Sequence, residues 1–265
     1  MLGMVVYENI NGLHIVRFAP ERLGIVASPI EESEGDYRPM RLREAMAFPG
    51  VLAAIDGPMF SNCDRGRSYA QSICADPRFL QEDAQRAIKD LADRGEGGRG
   101  LTLSVVGGVP SWATGDERAP GARVAVQLYP PLVRDGQAAT LSTTGGNGSS
   151  VWRAALAELN SGELAFVVGV DSLQGFARKL AQIARFAGYT DGGGSTALGW
   201  RDEEGEHRRG SGEDRPVATF LVALEKPPLE LPGVGAVLLC GLGAGLLTFS
   251  GLELWRRVKE SRQAG

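Results

Sequence analysis

Three consecutive glycines, Gly192–Gly194, stand between two apolar segments, with Asp191 before them and Ser195 and Thr196 after. Without Cβ atoms this backbone enters positive φ freely and lets a ligand approach closely. The run therefore predicts a sharp reversal, with Asp191 at the end of a buried strand. The amides of Gly192, Gly193 and Gly194 are candidates to line an anion-binding nest. The competing reading of this window is a glycine-rich turn with Asp191 capping its own loop.

Glycine recurs along the whole chain, 37 in 265 residues, which points to many turns and a β-rich core rather than a helical bundle. The balance of 43% hydrophobic and 23% charged residues suits one large domain or two small ones. A net charge of −4 leaves no nucleic-acid footprint. The two histidines, His14 and His207, are far apart in sequence, so neither a histidine zinc site nor a Ser-His-Asp triad is supported. Cys63 and Cys74 share one polar stretch. Two readings stay open for them, a small disulfide loop in an oxidising compartment or two free thiols.

Read in order, Tyr7–Phe18 alternates like a strand, and Arg22–Ala27 offers another. Leu42–Ala47 predicts one or two helical turns. Gly50–Ile55 is an apolar run that empties into Asp56-Gly57-Pro58, a buried strand with an acid at its exit. Ser61–Ala75 reads as a polar loop carrying Arg67. Asp76–Arg94 has helical periodicity, with Asp76 as N-cap and Pro77 at N1. Leu101–Val109 and Arg123–Leu128 are strand candidates around a turn-rich Ser111–Gly121, and Leu141–Ser150 is a Ser/Thr/Gly loop. Val151–Leu159 and Leu164–Val170 predict a strand pair across Asn160-Ser161-Gly162. From Asp171 or Ser172 the spacing of Leu173, Phe176, Ala177, Leu180, Ile183, Ala184 and Ala187 predicts a helix to about Ala187, ended by Gly188 at C′. Arg201–Asp214 reads as a charged loop with His207 solvated, and Arg215–Leu224 as a closing strand.

The C-terminal part has a different character. Leu231–Leu252 contains no charged residue, and as a helix it would span about 33 Å, enough for a bilayer core of about 30 Å. The expected organisation is a domain over 1–224, a Pro-rich linker over 225–230, a transmembrane helix over 231–255 and a basic tail over 256–265. Gly241 and Gly245 form a small-xxx-small pair suited to self-association. Arg256, Arg257, Lys259 and Arg262 favour a single-pass membrane protein with a cytoplasmic C-terminus and an extracytoplasmic domain. No signal peptide is visible in Met1–Tyr7.

Asp56 and Asp191 are thus two acids at two buried-strand exits. Brought to one pocket, such a pair divides acid, base or nucleophile roles at an acetal carbon. Arg153 and Arg67 are the candidate phosphate clamps, since a guanidinium presents a bidentate fork. No spacing specifies a metal site; acidic turns of this kind remain able to ligate a divalent cation.

The succession of these segments resembles the phosphodiester glycosidase domain, the family of the uncovering enzyme that removes N-acetylglucosamine from a phosphodiester-linked mannose. Ala53-Ala54-Ile55-Asp56-Gly57-Pro58-Met59-Phe60 matches its strand and Asn-Gly-Gly-Phe/Met-Phe turn. Val126–Gly136, Arg153-Ala154-Ala155, Asp191–Ser195 and Arg215-Pro216-Val217 follow in the family's order. Asp56 stands where the family has Asn, and Pro58 where it has Gly. Asn both donates and accepts, whereas an ionised Asp only accepts and repels a phosphate unless it is protonated or paired. The resemblance implies a mixed α/β fold, a curved mixed sheet packed with helices, and hydrolysis of a sugar-1-phosphate diester in a phosphorylated glycan or glycoconjugate. It implies catalysis by Asp191 and Asp56, with Arg153, Arg67, Gly192, Gly193, Gly194 and Ser195 on the substrate and its phosphate, and no required cofactor. A non-catalytic glycan- or phosphate-binding module, or a membrane-complex interaction protein, is the alternative on the same scaffold.

Overall fold

The computed structural model describes residues 5–27, 36–58, 60–63, 67–70, 74–75, 100–115, 117–141, 147–212 and 214–225. The side chains of 36–37 and of residues 60–75 lie outside that description, and with them those of Arg67, Cys63 and Cys74. The expected helix over Asp76–Arg94, the apolar run with Gly241 and Gly245, and the basic tail lie outside the described residues as well.

The alternating start folds as a hairpin of β1 (Val6–Ile10) and β2 (Leu13–Phe18). Its turn residues Asn11 and Gly12 have φ of 53° and 78°, the left-handed pair that a two-residue hairpin of matching twist demands. Next come β3 (Leu23–Ala27), β4 (Asp36–Tyr37), helix α1 (Leu42–Met46) and β5 (Val51–Asp56). The stretch expected as a polar loop contains β6 (Phe60–Cys63), β7 (Arg67–Ala70) and β8 (Cys74–Ala75). β9 (Leu101–Val106) and β10 (Val109–Thr114) form a hairpin where one strand and a turn-rich segment were expected. Then follow β11 (Val124–Leu128), β12 (Pro131–Arg134), β13 (Gln137–Ala138) and the predicted long hairpin β14 (Val151–Leu159) and β15 (Leu164–Asp171). Helix α2 (Leu173–Leu180), β16 (Ala184–Gly192), a 3-10 turn at Gly193–Ser195, β17 (Ala197–Asp202), β18 (Gly205–Gly210) and β19 (Thr219–Leu224) complete the order.

The largest sheet runs β1-β2-β15-β14-β16-β12-β13 and the second runs β18-β17-β5-β19-β3. Smaller sheets run β10-β9-β11-β8 and β4-β7-β6. Every pairing among the described residues is antiparallel. The expected mixed α/β sheet is thereby corrected to a mostly antiparallel β fold with few helices. Part of the physical reason is the connections: short turns make the sequence neighbours β1–β2, β9–β10, β14–β15 and β17–β18 antiparallel. Distant partners such as β2–β15 and β5–β19 add to those hairpins in the same antiparallel sense.

The main core lies between the two large sheets. Val16, Phe18, Phe166 and Val168 meet Ile25, Ile55, Leu198 and Leu221 there, with Leu103, Val126 and Leu128 of the four-stranded sheet closing the side. Helix α2 packs Leu173, Phe176, Ala177 and Leu180 on the outer face of the largest sheet. Of the two expected cap candidates, Asp171 and Ser172, the N-cap is Ser172, whose Oγ accepts the Gly175 N–H at 3.0 Å. Helix α1 packs Leu42, Ala45 and Met46 on the outer face of the second sheet.

Two expectations fail near the triple glycine. Helix α2 stops at Leu180, and residues expected as its last turns form β16. The apolar spacing fits both periods, and two waiting partners, β14 and β12, decide for the strand. Gly188 is therefore a mid-strand residue and not a helix C-cap; a Cβ there would lie 2.4 Å from the Leu128 Cβ. We expect Gly188→Ala to destabilise the fold by about 1–3 kcal/mol through overpacking, read as a lowered urea midpoint with an unchanged slope. An unshifted midpoint would show that β16 and β11 are not in this contact. The second failure is Arg201–Asp214, which contains the end of β17 and the whole of β18, paired as a hairpin. His207 stacks on Trp200 at 5.1 Å and its Nε2 meets Asp202 Oδ1 at 2.8 Å, so it is no free loop residue.

Among the described residues no helix is long and apolar enough to cross a membrane.

Candidate active site

The triple glycine carries the chain from the largest sheet into the second one. β16 ends at Gly192, Gly193 adopts φ of 62°, and after one 3-10 turn β17 begins beside β5. This connection puts the exit of β16 against the exit of β5. Gly57, just beyond β5, must be glycine, because a Cβ would lie 2.8 Å from the Thr219 carbonyl oxygen on β19.

Asp56 is fully buried. Its Oδ1 accepts the Ala197 N–H at 2.8 Å, and Thr190 Oγ1 donates to its Oδ2 at 3.3 Å. Burial, and next the nearby Asp191 charge, push its pKa well above the usual carboxylate range. Asp191 lies close enough for the two carboxyls to titrate together. Its own pKa is raised by burial. The Gly192 N–H at 2.7 Å, the Ser195 hydroxyl and the Arg215 charge pull in the opposite direction. The pair thus has one inner member with no cation on it among the described residues and one outer member held by three stabilising groups. The proton belongs on Asp56 and the negative charge on Asp191.

The Gly192 amide, expected to face a phosphate, is bonded to the carboxylate beside it. Gly192 must also lack a side chain, since a Cβ would overlap the Tyr189 hydroxyl. That hydroxyl accepts from Arg153 Nη1 at 3.2 Å. Burial holds the Tyr189 pKa up at about 12 despite Arg153, so the phenol stays protonated and able to donate. Arg153 is buried and also reaches the Ser149 carbonyl at 3.1 Å and the Asp171 carbonyl at 3.3 Å. It braces Tyr189 and ties the start of β14 to the end of β15.

Asp56, Asp191, Arg153, Gly192–Gly194 and Ser195 therefore come together from three strands and one turn. Three neighbours escaped the sequence reading. Thr190 and Tyr189 sit inside the Asp191 motif, and their strand alternation was hidden by the helix expected to end there. Arg215 is exposed, and its Nη1 lies 3.2 Å from where a Gly194 Cβ would be. Its signal was its place in the closing Arg-Pro-Val segment. Among the described residues, no group of three or more His, Cys, Asp or Glu is placed to hold a metal ion.

A family model described as phosphodiester glycosidase matches residues 50–224. The chain belongs to the phosphodiester glycosidase family. The match takes in both acids, the triple glycine and the closing strand. Among solved structures, the chain is similar to the catalytic domain of zebrafish N-acetylglucosamine-1-phosphodiester alpha-N-acetylglucosaminidase, auto-inhibited by its pro-peptide. That match has a TM-score of 0.54 and 13% identity and covers 84% of this chain and 82% of that one. It is also similar to a hypothetical protein from Synechocystis, with a TM-score of 0.51 and 12% identity, covering 82% of this chain and 61% of that one. At such identities the likeness is one of fold. No curated protein matches the sequence.

Proposed function

We propose that the chain hydrolyses a glycosyl phosphodiester, releasing the sugar from its anomeric phosphate. The observation that carries this reading is the pair of unlike carboxyls, Asp56 sealed and Asp191 reachable, where two sheets meet beside the exposed Arg215. Asp191 takes a proton from water as its oxygen bonds to the anomeric carbon. The bond from that carbon to the phosphate oxygen breaks, and its electron pair leaves with the phosphate. A phosphate monoester is a weak base, so the departing oxygen needs no strong acid. Asp56 works through Asp191 as a positioning residue, as does Arg153 through Tyr189. Arg215 takes the phosphate oxygens as a bidentate fork, with Ser195 holding Asp191. The phosphate role expected of Arg153 passes in this reading to Arg215.

The test is incubation of the full chain with alpha-N-acetylglucosamine-1-phosphate diesters, with and without chelator, following free sugar. Release of sugar supports the hydrolase. Saturable binding of the diester with no product over a long incubation would replace it with the binding-module reading, which the internal bonding of Gly192 favours. We further propose that Leu231–Leu252 anchors the domain to a membrane. Protease protection on intact cells checks this, and loss of the protein to a soluble fraction would refute it.

A further inference from the structure

Strand alternation sends Trp152 of β14, Val170 of β15 and His14 of β2 to the same face as Ala154, Val168 and Val16, the face that looks into the inter-sheet core. Trp152 pairs with Val170, and His14 with Val168 one step inward. The core ends abruptly here. Leu164 to Gly169 are buried, whereas Val170 is 47% exposed. An apolar side chain aimed between two sheets and yet wet marks an opening at the rim.

The opening begins at the site. Trp152 precedes Arg153, and its carbonyl oxygen lies 3.3 Å from where a Gly192 Cβ would be. Its ring is half-buried and stands 6.1 Å from the His14 ring. Behind His14, Tyr7 stacks on Trp200 at 4.4 Å and fixes the spacing of the sheets. Tyr7 Oη and Asn9 Nδ2 both lie within bonding distance of His14 Nδ1, at 2.8 and 3.2 Å. Two donors on one nitrogen assign the proton to Nε2, which bonds to no described residue. Across the opening, β18 places Arg209 opposite Leu198, with its guanidinium 5.8 Å from the Trp200 ring. Arg209 donates to the Arg208 carbonyl at 2.8 Å. Among the described residues no carboxylate forms an ion pair with it.

A half-exposed indole, an apolar floor, one ring N–H and a cation with no ion pair among the described residues select a particular ligand. The apolar C–H face of a pyranose packs on Trp152 and Val170, a hydroxyl reaches His14 Nε2–H, and an acidic substituent meets Arg209. We propose that this rim cleft is an aglycone subsite and that the aglycone is an anionic sugar of the uronic acid class. The proposal rests on the hydrolase reading and specifies its acceptor.

The test uses three synthetic diesters of one N-acetylglucosamine-1-phosphate, carrying methyl, galactosyl or galacturonosyl aglycones. The wild type is expected to prefer galacturonosyl over methyl by about tenfold or more in kcat/KM, the scale of one charge-assisted hydrogen bond. Arg209→Gln should equalise galacturonosyl and galactosyl, and Trp152→Ala should slow both sugar aglycones severalfold, the scale of a lost aromatic stack. Neither should alter the methyl rate. Equal rates on all three in the wild type, or a methyl rate that falls with the others in Arg209→Gln, would overturn the subsite. Should no diester be cleaved, the hydrolase reading fails, and titration with methyl galacturonoside followed by tryptophan fluorescence decides the subsite alone. Quenching abolished in Arg209→Gln supports it, and no binding, or quenching unchanged in that variant, overturns it.

Discussion

Asp191→Asn is expected to remove sugar release almost completely while the protein stays folded. The loss should be about 10²–10⁴ in kcat, the usual contribution of a positioned general base. Asparagine keeps a carbonyl oxygen for the Gly192 amide and for the Ser195 hydroxyl, so the turn retains its geometry. It loses the charge that Arg215 stabilises and the basicity that the reaction uses. It also removes the field that helps push Asp56 upward, so the variant should melt no lower than the wild type at neutral pH. Initial rates on a sugar-1-phosphate diester, with thermal melts alongside, measure both. A kcat within twofold of the wild type would remove Asp191 from the chemistry, and a collapsed melt would make it a structural residue.

Asp56→Asn should do the opposite, stabilising the protein at neutral pH and sparing activity. Burial keeps Asp56 protonated over a range in which the unfolded chain has already lost that proton. The folded state then binds more protons than the unfolded one, so stability falls as pH rises above the ordinary carboxylate value of 3.8. The slope reaches about 1.4 kcal/mol per pH unit for one proton and flattens once the raised folded-state pKa is passed. Below pH 3.8 both states are protonated and the term vanishes. Asparagine carries no such term. Its Oδ1 takes over the bond from the Ala197 amide, and its Nδ2 turns a donor toward Thr190 Oγ1 and the Asp191 charge. Urea midpoints at pH 4, 5.5 and 7 should show an advantage for the variant that grows with pH. A wild type more stable at pH 7 by an amount independent of pH would refute a protonated Asp56. Asp56→Ala should instead lose about 1–3 kcal/mol, because the buried Ala197 amide and Thr190 hydroxyl are left without an acceptor.

A protonated acid also explains the departure from the family's asparagine at this position. Its carboxyl presents one donor and one acceptor, as an amide does, and adds no charge beside the phosphate. The sequence alone left open whether this acid is ionised, protonated or paired, because desolvation cannot be seen in a run of residues.

The reach of local reasoning is clear from individual elements. The Ser172 cap, the β14–β15 hairpin and the strand ending at Asp56 depend on neighbours a few residues away, and all were legible. The β16 segment was misread because Ala184 and Ala187 suit a helix of period 3.6 as well as a small-residue strand. Only the free ladders of β14 and β12 settle it. His207 was placed in a loop because a run of charges hides the pairing of Trp200 with His207 across a short hairpin.

By itself, the sequence determined that a glycine-rich reversal follows an acid, that a second acid ends a buried strand, and that their order is the family's. Steric freedom of glycine and side-chain periodicity are properties of the local chain. The tertiary structure decided which acid keeps its proton, that Arg153 braces a tyrosine, and that Arg215 stands at the opening. Those outcomes depend on burial and on contacts such as Ala197 to Asp56, 141 positions apart, which exist only once two sheets have closed over the same turn.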